Sequence, residues 1–173
     1  MDNTQKKIQD TPDLVKAIET LQKQQALILA TVDENGSPHA SYAPFAELEG
    51  CLYVLLSGLS HHTQHLQRTP KADVMVIEDE TTARNIFARA RLNYMVDVNV
   101  IDKDSTRAAM IIDTMKNKLG KTVDVLVELA DFMLFELKPV KARLVIGFGR
   151  AYVFKPNDIA SAIQLNDENI KSV

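Results

Sequence analysis

The sequence predicts an α+β fold, mainly β, built on a small antiparallel barrel that is closed or partly closed. Three observations predict it: six or more strand-like segments, a meander formed by the first four of them, and helical patterns inserted late in the chain. Because the chain has 173 residues, we expect one domain spanning residues 1–173.

The first element is a helix predicted over about residues 12–24. Thr11-Pro12-Asp13 supplies a cap, a proline tolerated at the first helical position and an acid at the positive end of the helix dipole. Apolar side chains then follow at helical spacing, at Leu14, Ala17, Ile18 and Leu21. One face of this helix is therefore expected to pack on the barrel.

Three strands follow, over residues 26–32, 38–48 and 51–57. The first connection contains Asn35-Gly36, which adopts positive backbone angles easily, as a tight hairpin turn requires. The second connection is Glu49-Gly50. These signals predict an antiparallel meander.

The middle of the chain mixes short helices and strands. A helix is predicted over residues 60–68 and ends before Pro70, since the residue before a proline avoids helical geometry. The remaining predictions are a strand over 72–77, a short helical stretch over 83–87 and a strand over 89–101.

A helical insertion is predicted over about residues 102–130. Its first helix ends at Gly120, and Thr122 caps the second. Beyond it we expect strands over 132–137 and 142–154, separated by a turn at Lys138-Pro139, and a terminal helix from Pro156.

Composition and charge limit the classes of binding partner and the cellular compartment that we expect. A net charge of −3 and a pI near 5.8 predict neither nucleic-acid nor membrane binding. The single cysteine, Cys51, excludes an internal disulfide, the apolar runs are too short to span a bilayer, and the amino end does not resemble a secretory signal. We therefore expect a cytoplasmic protein.

All imidazole chemistry must come from four histidines, His39, His61, His62 and His65. His61 and His65 share a helical face at a spacing that can bind a metal, but two imidazoles alone make an incomplete ligand set. Polar histidines at a helix start are the alternative. A further alternative is a phosphate held by Ser60, His62 and backbone amides.

Arginines form the other candidate group. Arg89 and Arg91 are predicted on one side of a strand, where two guanidiniums can grip carboxylates or phosphates. The alternative is pairing with Glu78-Asp79-Glu80. Arg150 follows two glycines that lack the context of a dinucleotide fingerprint and are expected to bend a strand; it is either solvated or an anion ligand.

Motifs spread along the chain resemble the pyridoxamine 5'-phosphate oxidase-like, FMN-binding split-barrel superfamily. The N-terminal ones are Leu29-Ala30-Thr31-Val32-Asp33, Ser41-Tyr42-Ala43-Pro44-Phe45 and Leu66-Gln67-Arg68-Thr69-Pro70. Further motifs resemble its haem-utilization (HugZ/HutZ-type) branch, namely Ile77-Glu78-Asp79-Glu80, Phe87-Ala88-Arg89-Ala90-Arg91-Leu92, Asp131-Phe132-Met133-Leu134-Phe135 and Gly147-Phe148-Gly149-Arg150-Ala151-Tyr152.

This resemblance implies a six-stranded split barrel with peripheral helices, and a homodimer with its cofactor cleft at the subunit interface. In FMN-binding relatives the flavin phosphate lies near the helix that starts here at Ser60, with His62 and Thr63. In the haem branch, Arg91 matches a residue near the haem propionates. Asp131 matches a carboxylate that hydrogen-bonds the iron-ligating histidine and is the candidate catalytic residue.

The resemblance also implies an axial histidine near the carboxyl terminus, where this chain has Asn169. An amide is a poor iron ligand, so His62 becomes the candidate haem-iron ligand, followed by His61 and His65. Three functions follow: a haem-binding protein that can also be a haem-degrading oxygenase, an FMN-dependent oxidoreductase, or a non-catalytic haem carrier or storage protein. The cofactor is haem, with FMN as the alternative.

Overall fold

The computed structural model describes residues 11–167 and 169–170. It contains eight strands and four helices within those residues. The strands are β1 (Ala26–Val32), β2 (Pro38–Leu48), β3 (Cys51–Ser57), β4 (Lys71–Ile77), β5 (Arg91–Ile101), β6 (Phe132–Val145), β7 (Ala151–Lys155) and β8 (Asp158–Gln164). The helices are α1 (Thr11–Gln22), α2 (His61–Arg68), α3 (Thr106–Leu119) and α4 (Thr122–Glu128), and a 3-10 turn spans Ile86–Ala88.

The strands form a closed six-stranded antiparallel barrel. Their order is β3-β2-β1-β4-β5-β6, and β3 pairs with β6 to close the barrel. The hairpin of β7 and β8 continues the sheet from β6. The predicted fold class, mainly β with peripheral helices around a six-stranded barrel, is confirmed.

The alternation of buried and exposed side chains along β1 shows which face of the strand fills the barrel. Leu27 and Leu29 of β1 are buried and their neighbours are exposed, as a strand with one face in the core requires. The α1 residues Leu14 and Leu21 join this core. A second apolar cluster forms where α3 packs on the outside of the barrel through Ile111 and Met115.

The predicted break at Lys138-Pro139 is wrong, because β6 runs unbroken from Phe132 to Val145. The register with β5 shifts between Met95 and Val96, and Pro139 pairs at that shift. Such an irregularity tolerates a residue that cannot donate a ladder hydrogen bond.

The carboxyl-terminal predictions also need correction. Gly147 and Gly149 lie in the turn between β6 and β7, with φ of +152° and +65°, not inside a strand. The terminal helix predicted from Pro156 is wrong, since β8 lies there. Asn157 adopts a positive φ of 62° and turns the chain into a hairpin instead.

Two predictions before β5 differ in detail. The short helical stretch predicted over 83–87 is the 3-10 turn at Ile86–Ala88. Arg89 ends that turn and lies outside the strand, which begins at Arg91. In residues 11–167 and 169–170, no helix is long and apolar enough to cross a membrane.

Candidate functional site

The start of α2 is fixed to the end of β3. The hydroxyl of Thr63 is buried and donates a 2.6 Å hydrogen bond to the Ser57 carbonyl. Ser60 occupies the N-cap position, and its side chain makes no capping hydrogen bond. Ser60 and Thr63 therefore lie together as predicted, but Thr63 is already engaged with the backbone.

The imidazole of His62 is held in one tautomer by Ser41. The Ser41 hydroxyl donates to the Leu29 carbonyl at 3.3 Å, so it must accept from Nδ1–H of His62 at 2.9 Å. Burial, followed by the positive charge of the other histidines, holds the pKa of His62 below its usual range. Its Nε2 atom thus keeps a lone pair for a ligand or a metal.

The other three histidines pack around one another. The ring centroids of His39 and His65 are 5.3 Å apart, those of His39 and His61 are 5.8 Å apart, and those of His61 and His65 are 6.3 Å apart. His65 is buried and its Nδ1 lies 2.9 Å from the Thr31 hydroxyl. The fold thus gathers all four histidines of the chain between α2 and the β1–β2 hairpin.

Asp131 lies at the same end of the barrel as α2. Its carboxylate accepts a 2.7 Å hydrogen bond from the Ser57 hydroxyl, and its carbonyl accepts one of 2.6 Å from Gly58 N–H. Since the Ser57 carbonyl also accepts from Thr63, Ser57 links Asp131 to the start of α2. We call this group, Ser57, Ser60, His62, Thr63 and Asp131, the histidine end.

Arg91 lies elsewhere, in a cleft of about 380 Å³ on the outer face of β5, β6 and β7. Three cations line this cleft, Arg91, Lys141 and Arg143, together with the apolar side chains Met95, Val145 and Val153. The cleft also contains Asp73, which accepts a 3.2 Å hydrogen bond from Asn93. Positive charge beside an apolar wall suits an anionic ligand with an apolar body.

Arg89 does not share this cleft. Its guanidinium donates to the Glu78 carbonyl through Nε at 2.9 Å and also through Nη2, and it lies 3.8 Å from the Glu80 carboxylate. These contacts match the alternative in which Arg89 pairs with the acidic turn. Its carbonyl in turn accepts from Nη1 of Arg91 at 3.1 Å, so Arg89 helps to orient Arg91.

Arg150 borders a second cleft, of about 340 Å³, between α1 and the turn after β4. Its guanidinium forms a 2.8 Å ion pair with Asp13 of α1. The sequence did not indicate this partner, because 137 residues separate the two. In the described structure Arg150 therefore helps to hold α1 against the turn that follows β6.

The predicted site residues fall into two groups at opposite ends of the barrel. Arg91 pairs with Val145, and Ile101 pairs with Leu134, three residues beyond Asp131. Ten residues of strand, about 33 Å along the chain, thus separate Arg91 from the level of Leu134, and Asp131 lies three residues beyond that level. We call Arg91, Lys141 and Arg143 the arginine end.

The sequence interpretation missed Lys141, Arg143 and Ser41. A signal for the first two was present, since they alternate with the buried Ala142 and Leu144 and must therefore share an outward face. Ser41 carried no such signal, because its role depends on the placement of α2 over β2.

Asn169 closes the turn that follows β8. Its side chain accepts a 2.9 Å hydrogen bond from Asn166 N–H and donates one of 2.9 Å to the Gln164 carbonyl. The next residue, Ile170, lines the cleft of the arginine end. Position 169 therefore lies beside that cleft, with its amide engaged in local hydrogen bonds.

Comparison with known proteins places this geometry in a family. Residues 14–146 match the family model of pyridoxamine 5'-phosphate oxidase. The chain is 37% identical over 150 residues to the haem oxygenase HutZ of Vibrio cholerae, covering 87% of this chain and 85% of the relative.

Two solved structures are similar. The crystal structure of HutZ, there described as a haem storage protein, superposes with a TM-score of 0.69 at 38% identity, covering 73% of this chain and 89% of that one. ChuZ of Campylobacter jejuni superposes with a TM-score of 0.82 at 27% identity, covering 93% of this chain and 65% of that one.

Proposed function

Because the chain belongs to the pyridoxamine 5'-phosphate oxidase family, in its haem-utilization branch, we propose that it binds haem. The observation that carries the proposal is the cleft of the arginine end, which combines three cations with an apolar wall. Haem carries two propionates on an apolar ring, and this chemistry matches both parts of the cleft.

Different residues of the cleft would bind the propionates and the porphyrin ring. Arg91 and Arg143 present guanidiniums that grip carboxylates in two-pronged hydrogen bonds, and Lys141 adds a third positive charge. Met95, Val145 and Val153 would exclude water from the porphyrin face. Arg89 acts as a positioning residue, since its carbonyl accepts the hydrogen bond from Arg91.

We further propose a homodimer with the cofactor cleft at the subunit interface. The outer faces of β2, β1, β4 and β5 carry adjacent apolar side chains: Tyr42 pairs with Ile28, Ile28 pairs with Met75, and Met95 lies on the next strand. Tyr42 is 71% exposed and Met95 is 52% exposed. Exposed apolar side chains on adjacent strands, interrupted here by Asp73 and Asn93, support association with a second subunit.

Dimerisation would also bring the arginine end and the histidine end together in one haem site. Within one chain the arginine end and the histidine end lie too far apart to touch one ligand. In our proposal, Arg91 of one subunit and Asp131 of the other face the same cleft. Haem would supply redox chemistry at its iron, while the chain binds the propionates and orients the iron ligand.

The candidate iron ligand is His62. The Ser41 hydrogen bond leaves Nε2 with its lone pair, and the depressed pKa of His62 keeps the ring neutral, as a metal ligand must be. The carboxylate of Asp131 belongs to the same end of the barrel through Ser57 and Thr63. Because Nδ1 of His62 is bonded to Ser41 and Nε2 is reserved for the iron, the proposed role of Asp131 is to place a negative charge at this end of the cofactor cleft.

One observation favours haem storage over haem degradation. The position that matches the axial histidine of the branch is Asn169, whose amide is engaged with Gln164 and Asn166. An amide cannot replace that imidazole, so iron ligation falls to His62, whose Nδ1 partner is the neutral Ser41 hydroxyl and not a carboxylate that would raise the basicity of the ligand. We therefore propose a haem carrier or storage protein, in a reducing, cytoplasmic compartment in which Cys51 remains a thiol.

Titration of the purified protein with hemin tests the proposal. We expect a saturable shift of the Soret band, and an affinity at least tenfold weaker in Arg91→Ala. Arg84→Ala is the matched control, because Arg84 is exposed and lies outside the cleft. An absent Soret shift, with saturable quenching of FMN fluorescence instead, would contradict haem binding and favour an FMN oxidoreductase.

A second measurement separates storage from degradation. The haem complex is incubated with a reductant in air, and the Soret band is followed over time. Storage predicts a stable band, whereas progressive bleaching with release of iron would identify a haem-degrading oxygenase.

A further inference from the structure

We propose that His39, His61 and His65 form a binding site for a borderline divalent transition-metal ion, such as Zn²⁺ or Cu²⁺. Its three ligands are distinct from His62, the candidate haem ligand, and metal binding here requires no haem. His61 and His65 alone are an incomplete ligand set, and the fold adds His39 from β2 as the third imidazole.

The spacing of the rings suits three ligands to one ion. Imidazole nitrogens bind Zn²⁺ at about 2.0 Å, which puts ring centres in a tetrahedral site roughly 5 Å apart. The three observed centroid separations, 5.3, 5.8 and 6.3 Å, are slightly wider. In residues 11–167 and 169–170 no three potential ligands stand at metal-holding spacing before binding. The exposed ring of His61 must therefore swing inward by about an ångström.

A hydrogen bond holds the ring of His65 in place. The Thr31 hydroxyl lies 2.9 Å from Nδ1 of this buried histidine. This contact leaves Nε2 of His65 as its metal-binding atom, since a hydrogen bond at one ring nitrogen fixes the other as the ligand. His39 pairs with Thr31 in the β1–β2 register, so its backbone lies directly beside the residue that holds His65.

The chemistry of the donors defines the class of ion. Three neutral nitrogen ligands favour Zn²⁺, Cu²⁺ or Ni²⁺ over Mg²⁺ and Ca²⁺, which require oxygen ligands. His61 is exposed, so the fourth position is accessible to water. A bound ion would fasten α2 to the β1–β2 hairpin and thereby hold Ser60 and His62 in place.

Gln64 provides a control on the same helix. Its side chain is exposed and lies one residue before the proposed ligand His65, and an amide is a poor ligand for these ions. Gln64→Ala alters the helix surface near the site without removing one of the three proposed ligands.

The test is a Zn²⁺ titration of tag-free protein against a chromophoric chelator. We expect one Zn²⁺ per chain, at least tenfold weaker binding in His39→Gln and in His61→Gln, and wild-type binding in Gln64→Ala. His61→Gln alters an exposed side chain, so it reports on the site even where His39→Gln fails to fold. Equal affinities in the wild type and His61→Gln, or no binding by the wild type, would overturn the site.

Electron paramagnetic resonance of the Cu²⁺ form checks the ligand set. Three equatorial nitrogens are expected in the wild type and two in His61→Gln. A wild-type spectrum with only one coupled nitrogen would overturn the three-histidine arrangement. Neither measurement involves haem, so failure of this site and failure of haem binding are distinguishable.

Discussion

Arg91 and Asp131 lie at opposite ends of the β5–β6 strand pair. Arg91 pairs with Val145, whereas Asp131 directly precedes Phe132, the first residue of β6. A side chain reaches only a few ångströms, so one subunit cannot place both groups on one ligand. We therefore propose that a complete haem site forms at a subunit interface and not within the barrel of one chain.

The first prediction concerns the apolar outer face that we assign to the dimer. Ile28→Glu places a carboxylate beside Tyr42 and Met75, where dimerisation would bury it without a partner, at a cost of about 3 kcal/mol. Light scattering should show a monomer where the wild type is a dimer.

Val125→Glu is the control for this change. Val125 is 63% exposed on α4, away from the proposed interface, and the variant should remain a dimer. A dimeric Ile28→Glu variant, or a monomeric wild type, would show that this face does not mediate association.

A second prediction concerns the network that attaches α3 to the barrel. The buried Tyr53 hydroxyl donates to Glu136 at 2.9 Å and accepts from Arg107 at 2.9 Å. Burial raises the pKa of Tyr53 to about 12, so the hydroxyl remains a donor at neutral pH. Tyr53→Phe should lower the free energy of unfolding by about 1.5 kcal/mol, because Glu136 and Arg107 each lose a hydrogen bond to a buried hydroxyl and keep only Asn99 and Glu49 as partners.

Urea denaturation measures this loss, with Tyr42→Phe as the matched control. Tyr42 is largely exposed, and removal of its hydroxyl should change the free energy of unfolding by under about 0.5 kcal/mol. A similar loss in both variants would argue against the network.

A third prediction uses the pH dependence of stability at Lys118. Its ammonium is half-buried, lies 3.5 Å from the centroid of the Phe45 ring and donates to the Gln22 carbonyl at 2.9 Å. Burial lowers the pKa of Lys118 from its usual 10.5 to about 8. Between these values the unfolded chain binds more protons than the folded chain, so stability should rise as the pH increases from about 8 to 10.5.

Lys118→Met should flatten this part of the profile, because methionine fills similar space without a titrating group. Urea midpoints at pH 8, 9 and 10 provide the measurement. Lys155→Met, at an exposed lysine of β7, should keep the wild-type slope. If stability rises with pH as steeply in Lys118→Met as in the wild type, the rise comes from titrating groups other than Lys118.

Much of the barrel could be predicted from the sequence, because local signals determine it. The bounds of β1, β2 and β3 follow from alternating apolar residues and from the turns between them. The error at Pro139 arose because proline was taken as a break, and the error at Pro156 arose because proline was taken as a helix start. In the structure, the register shift next to Met95 accommodates Pro139 within a continuous strand. After Pro156, the positive φ of Asn157 turns the chain into a hairpin.

The site was less predictable, because its contacts are long-range. The i, i+4 spacing showed His61 and His65 on one helical face, but His39 joins them only once β2 packs beneath α2. The sequence grouped Arg89 with Arg91, yet one ends a 3-10 turn and the other begins a strand. The separation between Arg91 and Asp131 depends on how β5 pairs with β6, and the sequence alone does not give this register.

Mixed dimers test the central claim most directly. One differently tagged subunit carries Arg91→Ala and the other carries Asp131→Ala, and the heterodimer is purified through both tags. One of its two clefts then contains Arg91 and Asp131, each from a different subunit, while the other contains neither.

Hemin titration of this heterodimer should give one high-affinity site per dimer, against two in the wild type and none in either variant homodimer. A heterodimer that binds hemin no better than the variant homodimers would contradict a haem site built from two subunits.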